Sequence, residues 1–385
     1  MYYLCSRNQN VPLYFFLKLR PTRIRDFIMR KLFTLFVAAL CCASISAEII
    51  TGTSGDLTFN LNTETGVMNF EGNGAMADYE DQNESPWSPY VYHITSVRFW
   101  GNPTAIGDNA FCGCQNLTAC NFPSTLTRIG KNAFNGCSKL TGFVSFGNSL
   151  TTLGDRAFTN CYKITGFYIP ATLTDIGTEA FAHCKGITYF AGNNDNPNYT
   201  IADAVLFNKD KTVLMYYPAA HSRTSYTVPQ SVTEIGDWAF SNATNLTELI
   251  LPDQLETIGL CGLENCSALM EITFPASLQS LGDLAMFGCT ALTQIVTLAT
   301  TPPTATEFTF HEVPKTIPVY IPTGTFEAYK SATGWKAFKN KYPIPDEAIE
   351  QVQSDKGQGT KVLRDGQLYL MYKGTMYNVQ GAEVK

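Results

Sequence analysis

Apolar residues recur through the middle of the chain in a repeating register. One ten-residue pattern occurs seven times: Ile or Leu before Gly, a small and then a large apolar residue at offsets four and five, and Cys or Ala at offset eight. The copies begin at Ile106, Ile129, Leu153, Ile176, Ile235, Ile258 and Leu281. Successive copies are 23, 24, 23, 59, 23 and 23 residues apart. A fixed period of about 20 to 30 residues is typical of a solenoid with one coil per repeat.

Each repeat has two halves with different periodicity. After the cysteine position, apolar residues fall at offsets 0, 3 and 5, as in Leu246, Leu249 and Leu251, which is the L-x-x-L-x-L pattern of a leucine-rich repeat and predicts a short strand. The half beginning at Ile106 predicts a short helical turn with one buried face. We therefore predict a leucine-rich-repeat solenoid of mainly short parallel β-strands and short helical turns, with about seven to eight coils and a cap at both ends.

The long step of 59 residues predicts an insertion into the solenoid. Its segment "AVLFNKDKTVLMYYP" reads as a β-hairpin with its turn at 208–211. The predicted domain order is as follows: a leader at 1–47, an N-terminal β cap at 48–93, the solenoid at 94–318 with the hairpin insertion near 192–225, a C-terminal cap at 319–345 with a helix carrying Phe326, Tyr329 and Trp335, a polar linker at 346–360 and a β-rich tail at 361–385.

The leader has the layout of a secretory signal peptide. From Met29 it reads "MRKLFTLFVAALCCASISA": two basic residues, an apolar stretch, then small residues up to Ala47. We predict translation from Met29 and cleavage of the leader, with an uncleaved anchor as the alternative. The leader holds seven of the 27 basic and one of the 33 acidic residues, which leaves 20 and 32, a formal charge of −12. This excess of acid argues against nucleic acid as a partner and against membrane insertion after the signal is removed.

The recurring cysteines could serve either packing of the core or a chemical role such as disulfide formation or metal binding. Six of the seven copies carry cysteine at one position, and Ala243 fills the seventh: Cys114, Cys137, Cys161, Cys184, Cys266 and Cys289. Stacked strands would place neighbours close enough for disulfides. Ala243 at the same position, and the odd number of cysteines that follow the leader, indicate instead that the position requires a small apolar side chain. We predict packing, with disulfides as the alternative and metal binding behind both.

Motifs of catalysis are missing from the sequence. The chain has only four histidines, and no zinc-protease, nucleophile-elbow or P-loop motif occurs. His183 precedes Cys184, but that cysteine belongs to the repeated packing position. The acidic residues Asp78, Glu80, Asp81 and Glu84 lack the spacing of a calcium loop. We predict no enzyme activity, no cofactor and no metal.

The strand half offers a binding surface. Residues between the buried positions face outward, and stacking aligns them into an extended sheet where solenoids commonly bind partners. The predicted ligand-binding residues are Tyr168, Tyr189, Glu248, Ile250, Glu271 and Gln294, with Thr273 and Val296 on the same face. Exposed Tyr and Ile beside Glu indicate a contact patch for a protein or a glycan. For any single residue, the alternative is an ordinary surface side chain with no binding role.

The repeats resemble the BspA-type leucine-rich repeats of bacterial surface proteins. The resemblance covers residues 48 to about 345 and includes "GDLTFNLNTETGVMNFEGNGAMADYEDQNESPW" and "NPNYTIADAVLFNKDKTVLMYYP", with departures at Ala243 and Leu263. It implies a secreted or outer-surface protein that adheres, without catalysis, to a host or cell-surface protein or glycan. A structural spacer of the cell envelope with no specific ligand is the alternative.

The tail shows a second resemblance. The segments "LRDGQLYLM" and "YNVQGAEV" are similar to the C-terminal sorting domain of the Bacteroidetes type IX secretion system. This implies that the tail directs passage across the outer membrane and is then removed or used as an anchor. A small terminal strand pair with no sorting role is the alternative.

Overall fold

The computed structural model describes residues 48–192 and 195–344, and the backbone of four strands between 360 and 384. The predicted leader at 1–47 and nearly all of the predicted linker at 346–360 lie outside the described residues. Within those described, no helix is both long and apolar enough to cross a membrane.

The N-terminal strands lead directly into the solenoid. In chain order the elements are β1 (Ile49–Ser54), β2 (Leu57–Asn62), β3 (Val67–Ala75), the 3-10 helix η1 (Ser88–Tyr90) and β4 (Ser96–Ile106). β1, β2 and β3 pair antiparallel, whereas β3 pairs in parallel with β4. Because β3 already stacks on β4 as one coil stacks on the next, the solenoid begins before Ile94, where we predicted it. The Asn-rich β3 lacks the repeated decapeptide, so its sequence did not mark it as a coil.

The first coils build two parallel sheets. Their strands are β5 (Ala119–Cys120), β6 (Arg128–Ile129), β7 (Thr141–Ser145), β8 (Thr152–Leu153), β9 (Lys163–Ile169), β10 (Asp175–Ile176) and β11 (Tyr189–Gly192). β4, β6, β8 and β10 form the corner sheet at the Ile-Gly position, where Ile106 is in register with Ile129 and Leu153 with Ile176. β7, β9 and β11 form a second sheet, which we call the strand face.

The insertion folds as additional strands of the corner layer. It contributes β12 (Tyr199–Ala202), β13 (Val205–Asn208) and β14 (Val213–Tyr216). β13 and β14 pair antiparallel, and β14 pairs in parallel with the next corner strand. The inserted residues therefore occupy a position in the stack between the two halves of the solenoid.

The C-terminal half repeats the same two-strand coil. Its elements are β15 (Ser225–Thr227), β16 (Glu234–Ile235), β17 (Glu248–Ile250), β18 (Thr257–Ile258), β19 (Glu271–Phe274), β20 (Ser280–Leu281), β21 (Gln294–Thr297), β22 (Val319–Pro322), the helix α1 (Phe326–Ser331), the 3-10 helix η2 (Trp335–Ala337) and β23 (Lys341–Ile344). The predicted C-terminal helix is only one and a half turns long, and Phe326 is exposed. Tyr329 and Trp335 are fully buried and donate hydrogen bonds to carbonyl oxygens of the last coil, at 2.7 and 2.9 Å.

The tail forms a small sheet of its own. Its strands are β24 (Thr360–Arg364), β25 (Gln367–Tyr372), β26 (Thr375–Asn378) and β27 (Glu383–Val384). They pair antiparallel in chain order, each with its neighbour in sequence. The dipeptides Asp365-Gly366 and Lys373-Gly374, which favour tight connections by sequence, lie outside the described residues.

The fold class is confirmed as a leucine-rich-repeat solenoid, but two details of the prediction are wrong. The chain makes about 11 turns instead of seven to eight, because the terminal strands and the insertion also stack as coils. The predicted short helical turns are not helical: in each coil, offsets three and seven from the Ile or Leu have left-handed backbone, which breaks a helix. Asn109 and Gly113 fill these offsets in the first copy, with φ of 55° and 76°.

The interior is a column of aromatic rings beside a column of thiols. Phe134 stacks on Phe158 with ring centroids 5.1 Å apart and planes 6° apart. All nine cysteines of the described residues are free thiols. The packing thiols also donate hydrogen bonds, since Cys161 Sγ lies 3.2 Å from the carbonyl oxygen of Phe134 in the preceding coil. Cysteine thus supplies both a small volume and a donor.

Candidate functional site

The predicted binding residues divide into two groups, one in each half of the solenoid, and lie on three different sheets. Tyr168 and Tyr189 lie on β9 and β11 of the strand face, in the N-terminal half. Glu248 and Ile250 lie on β17, which pairs with β15, and the last two predicted residues lie on β19 and β21. The six residues are therefore not joined in one continuous sheet.

The strand face carries a pair of stacked rings that sequence reasoning missed. Phe143 on β7 and Tyr189 on β11 stack with centroids 5.0 Å apart and planes 12° apart. Both rings are half-exposed, at 39% and 42%. The strand between them contributes Gly166, which is in register with both residues and leaves room for the two rings to meet across it.

Position 166 accommodates only glycine without displacement of its neighbours. A Cβ atom there would lie 2.4 Å from the carbonyl oxygen of Tyr189 and 3.0 Å from the ring of Phe143. Neither distance is compatible with an undisturbed stack. The ring pair thus depends on glycine in the middle strand.

Tyr168 completes this group of rings. It lies two residues beyond Gly166 on the same side of β9, in register with Ser145 and Ala191. Because both of these neighbours are small, the phenol ring of Tyr168 is only partly covered. We call Phe143, Tyr168 and Tyr189 the aromatic patch.

A β-bulge explains why Phe143 escaped prediction. The register between β7 and β9 shifts between Gly142 and Phe143. The offsets that place apolar residues inward in other coils would bury Phe143, but Val144 and Phe146 are buried in its place. The 24-residue step between Ile129 and Leu153 was the available signal, since one extra residue in a coil reverses the alternation of its strand.

The second group is a row of polar side chains. Glu271 and Gln294 are in register on β19 and β21, and the Gln294 amide donates a hydrogen bond to the Glu271 carboxylate. Glu248 is the equivalent residue of the preceding coil, in register with Ser225. We call Glu248 and Glu271 the carboxylate pair. Glu248, Glu271 and Gln294 are half-buried, whereas Ser225 is exposed.

One predicted outward residue is wrong. Val296 is buried and packs with Ile344, Leu298 and Tyr320. The C-terminal strands β22 and β23 continue the sheet beside β21 and supply this cover. Residues 319–345 were predicted to cap the end of the stack, a prediction that does not include cover of the outer face.

The acidic residues at 78–84 serve the local backbone. The Asp78 carboxylate accepts hydrogen bonds from the Asp108 N–H and from Arg128; burial works against its ionisation, but these bonds and the guanidinium charge leave the pKa of Asp78 lowered. Glu84 and Asp81 accept N–H groups of their own loop. Within the described parts of the chain, no group of three or more His, Cys, Asp or Glu residues could hold a metal ion.

A serine, a glutamate and a histidine meet where the two halves join. Ser241 Oγ donates to Glu264 Oε2 at 2.6 Å, and His183 Nδ1 lies 3.7 Å from the same oxygen. A hydrolase triad would place the histidine between the serine and the carboxylate. Here the serine bonds to the carboxylate, while the His183 ring packs on Trp238 at 4.4 Å. The arrangement fits a join between coils better than a nucleophile.

The cysteine thiols are similarly poor nucleophiles. Cys289 donates to the carbonyl oxygen of Leu263 at 3.2 Å, and burial raises the pKa of Cys289 to about 12. Burial likewise raises the pKa of the half-buried Cys112, two residues before Cys114, to about 11. A thiol that stays protonated at neutral pH reacts slowly.

Stacked coils, a filled interior and side chains projecting outward from the strand half of each coil define a solenoid repeat protein. The family model for the BspA type leucine rich repeat region matches in six copies, over residues 90–210 and 215–341. The chain therefore belongs to the family of BspA type leucine-rich-repeat proteins.

Solved structures share the same fold. A leucine-rich repeat protein from Eubacterium ventriosum is 25% identical with a TM-score of 0.61, over 77% of this chain and 85% of that chain. The pneumococcal vaccine antigen PcpA is 17% identical with a TM-score of 0.50, over 78% of this chain and 99% of that chain. A comparison with curated proteins found no match.

Proposed function

We propose that the protein is an exported, non-catalytic cell-surface protein that adheres to a protein or glycan of a host or another cell. Its membership of the BspA type family supports a surface role with a binding function. The aromatic patch on the strand face is the observation that supports binding most directly. Large rings held half in water by their own stacking are typical of the residues that carry binding energy in interfaces.

The carboxylate pair would take a secondary part in this contact. Its side chains lie on two other sheets, in the C-terminal half of the solenoid, so a ligand touching both groups would have to extend beyond the insertion. We therefore assign the main contact to Phe143, Tyr168 and Tyr189. The residues of the C-terminal half would contact a longer ligand only: the polar Glu248, Glu271 and Gln294, and the apolar Ile250.

Export would use both ends of the chain. Residues 1–47 would act as the signal peptide, read from Met29, and the tail at 361–385 would act as a type IX sorting domain. The tail's antiparallel sheet of sequence neighbours supports a self-contained terminal unit. Cell fractionation after deletion of 361–385 tests this role, since loss of the protein from the cell exterior is the expected result and unchanged export would contradict it.

The binding proposal is tested by screening the full-length protein against immobilised host matrix proteins and glycans. The test variant replaces Phe143, Tyr168 and Tyr189 with alanine, and the matched control replaces Glu248 and Glu271 with glutamine. We expect a ligand whose affinity falls by about tenfold or more in the aromatic variant and by much less in the control.

The other outcomes have definite meanings. Loss of binding only in the glutamine variant would move the site to the carboxylate pair. Binding retained in both variants would move it to the insertion or the terminal strands. Absence of any ligand across both libraries would contradict adhesion and favour a structural spacer of the envelope.

A further inference from the structure

The outer face of the N-terminal sheet presents an exposed tryptophan. Trp100 on β4 is 57% exposed, whereas Trp87 and Trp335 are fully buried. An indole ring is among the largest apolar surfaces a chain can bury, so leaving one in water forgoes a substantial gain. Nothing in the repeat requires it, because this residue lies in the segment between the buried Phe99 and the next corner of the coil.

The indole is held in place by neighbouring amides. Trp100 Nε1 donates a long hydrogen bond, 3.5 Å, to Asn69 Oδ1, and Asn69 Nδ2 donates to Asn60 Oδ1 at 3.0 Å. These residues lie on the adjacent strands β4, β3 and β2, so the ring is oriented by the sheet. A side chain that is already ordered loses less conformational entropy when a ligand arrives.

Polar groups with unused bonding capacity surround the ring. Glu71 is directly in register with Trp100, and Arg98 lies two residues earlier on the same side of β4. Among the residues that the structure describes, neither of these charged side-chain groups has a hydrogen-bond or ion-pair partner. Beyond the ring, Asn102 donates to Asn73 Oδ1 from its backbone N–H and its side chain, both at 3.0 Å.

We propose that this face, centred on Trp100, is a carbohydrate-binding site for a neutral oligosaccharide. A sugar ring has one face of C–H groups that packs against an indole, and hydroxyls at its rim that both donate and accept hydrogen bonds. Glu71 would accept from neighbouring hydroxyls, while Arg98 would donate to them in its planar fork geometry. Strands about 4.8 Å apart make the platform wide enough for more than one sugar.

The composition of this face favours a neutral sugar over other ligands. One carboxylate and one guanidinium flank the ring, so the local charge is balanced and a polyanion gains little. A protein contact needs a cluster of apolar anchors, and Trp100 is surrounded by Asn, Thr, Glu and Arg. The site is separate from the aromatic patch and does not depend on the function proposed for it.

The test titrates the full-length protein with cellohexaose, chitohexaose and mannohexaose, and with a heparin oligosaccharide as the anionic comparison. Calorimetry gives the affinity, and acrylamide quenching of tryptophan fluorescence reports the shielding of Trp100. We expect a neutral hexasaccharide to bind and to protect the fluorescence. Trp100→Ala should weaken that binding by about tenfold or more, with smaller losses for Glu71→Gln and Arg98→Gln.

Two controls separate this site from the rest of the molecule. Tyr92→Ala removes another exposed ring, 62% exposed, near the same sheet, and should leave sugar binding unchanged. Thr141→Ala, an exposed substitution on β7, should also leave it unchanged. Three results would overturn the proposal: no neutral hexasaccharide binds at millimolar concentration, binding survives in Trp100→Ala, or Trp100→Ala abolishes capture of a protein instead.

Discussion

The hydroxyl of Tyr199 accepts a hydrogen bond from the backbone N–H of Ile176 at 2.9 Å. This bond lies at the free edge of the corner sheet of the N-terminal half, where β10 pairs only with β8. A regular coil would present its own backbone to that N–H. The insertion therefore closes the edge with a side chain, and it connects the two halves of the stack by replacing the missing coil.

Asn196 is the residue of this junction whose loss should cost most. It is buried, its Nδ2 donates to the carbonyl oxygens of Pro170 and Leu173 at 2.7 and 2.8 Å, and its Oδ1 accepts from the N–H groups of Asn198 and Tyr199. Asn196→Ala removes four hydrogen bonds to backbone groups, of which only the Pro170 carbonyl keeps a named partner, the Leu173 N–H. We expect the free energy of unfolding to fall by about 2 to 4 kcal/mol. Urea denaturation measures the change.

The matched control is Asn198→Ala, which removes a single exposed hydrogen bond to the Thr174 carbonyl oxygen. Its cost should stay below about 1 kcal/mol. Equal losses for the two variants would mean that the junction is not held by Asn196.

The buried thiols predict a loss of stability at alkaline pH. Burial raises the pKa of Cys289 to about 12 in the folded protein, from an ordinary value of 9.0. Below pH 9 the thiol is protonated in both the folded and the unfolded protein, so its contribution to stability is complete. Above pH 9 the thiol of the unfolded protein loses its proton first, and stability falls until the pH reaches the thiol pKa of the folded protein. Each such thiol contributes at most about 1.4 kcal/mol per pH unit in this window.

The urea midpoint should therefore be steady from about pH 7 to pH 9 and decline above that. The double variant Cys161→Ala and Cys289→Ala should be less stable at neutral pH by about 1 to 2 kcal/mol, yet decline less steeply. An identical slope in the variant would show that other groups, such as the buried tyrosines, govern the alkaline loss.

The repeat itself could be predicted because buried positions must be apolar, and this requirement recurs at a fixed spacing in the sequence. Each coil must place a large apolar residue at the same point of the interior, as Phe134 and Phe158 do, and that requirement returns every 23 or 24 residues. Outward residues carry no such requirement. The face of Phe143 was set by a bulge and the burial of Val296 by a neighbouring strand, and neither follows from the periodicity alone.

In some coils the residue types gave no sign of the left-handed backbone conformation. Asn109 and Asn132 mark a left-handed position with the residue type that tolerates it, but Trp238 and Leu284 occupy the same position without any such signal. The apolar spacing alone resembled a helix. At offset three only two of the seven copies carry Asn or Gly, although at offset seven six of the seven do.

Gly166→Ala tests whether the aromatic patch depends on close approach of its rings. The added Cβ would meet the Tyr189 carbonyl oxygen at 2.4 Å, so β9 and β11 must separate. We expect a loss of about 1 to 3 kcal/mol in the free energy of unfolding and a weaker near-ultraviolet circular dichroism signal. Affinity for a strand-face ligand should fall although Phe143, Tyr168 and Tyr189 all remain.

Thr141→Ala on the exposed side of β7 is the control for that substitution, because it changes an outward residue of the same sheet without a clash. It should alter stability by less than about 0.5 kcal/mol. If Gly166→Ala bound as well as the parent protein, the stacked geometry would not be what the ligand requires.

Leu284→Asn should stabilise the protein, although it replaces an apolar residue by a polar one. Leu284 has a φ of 54°, a conformation that costs a residue with a branched side chain about 1 to 2 kcal/mol and that asparagine tolerates better. The Leu284 side chain is only half-buried, so its lost apolar contact offsets only part of the backbone strain that asparagine removes. We expect the free energy of unfolding to rise by about 0.5 to 1 kcal/mol. Leu284→Ala keeps the unfavourable backbone and loses the same contact, so it should be destabilising. Urea denaturation of the two variants side by side decides the matter, since equal losses would show that this position stores no strain.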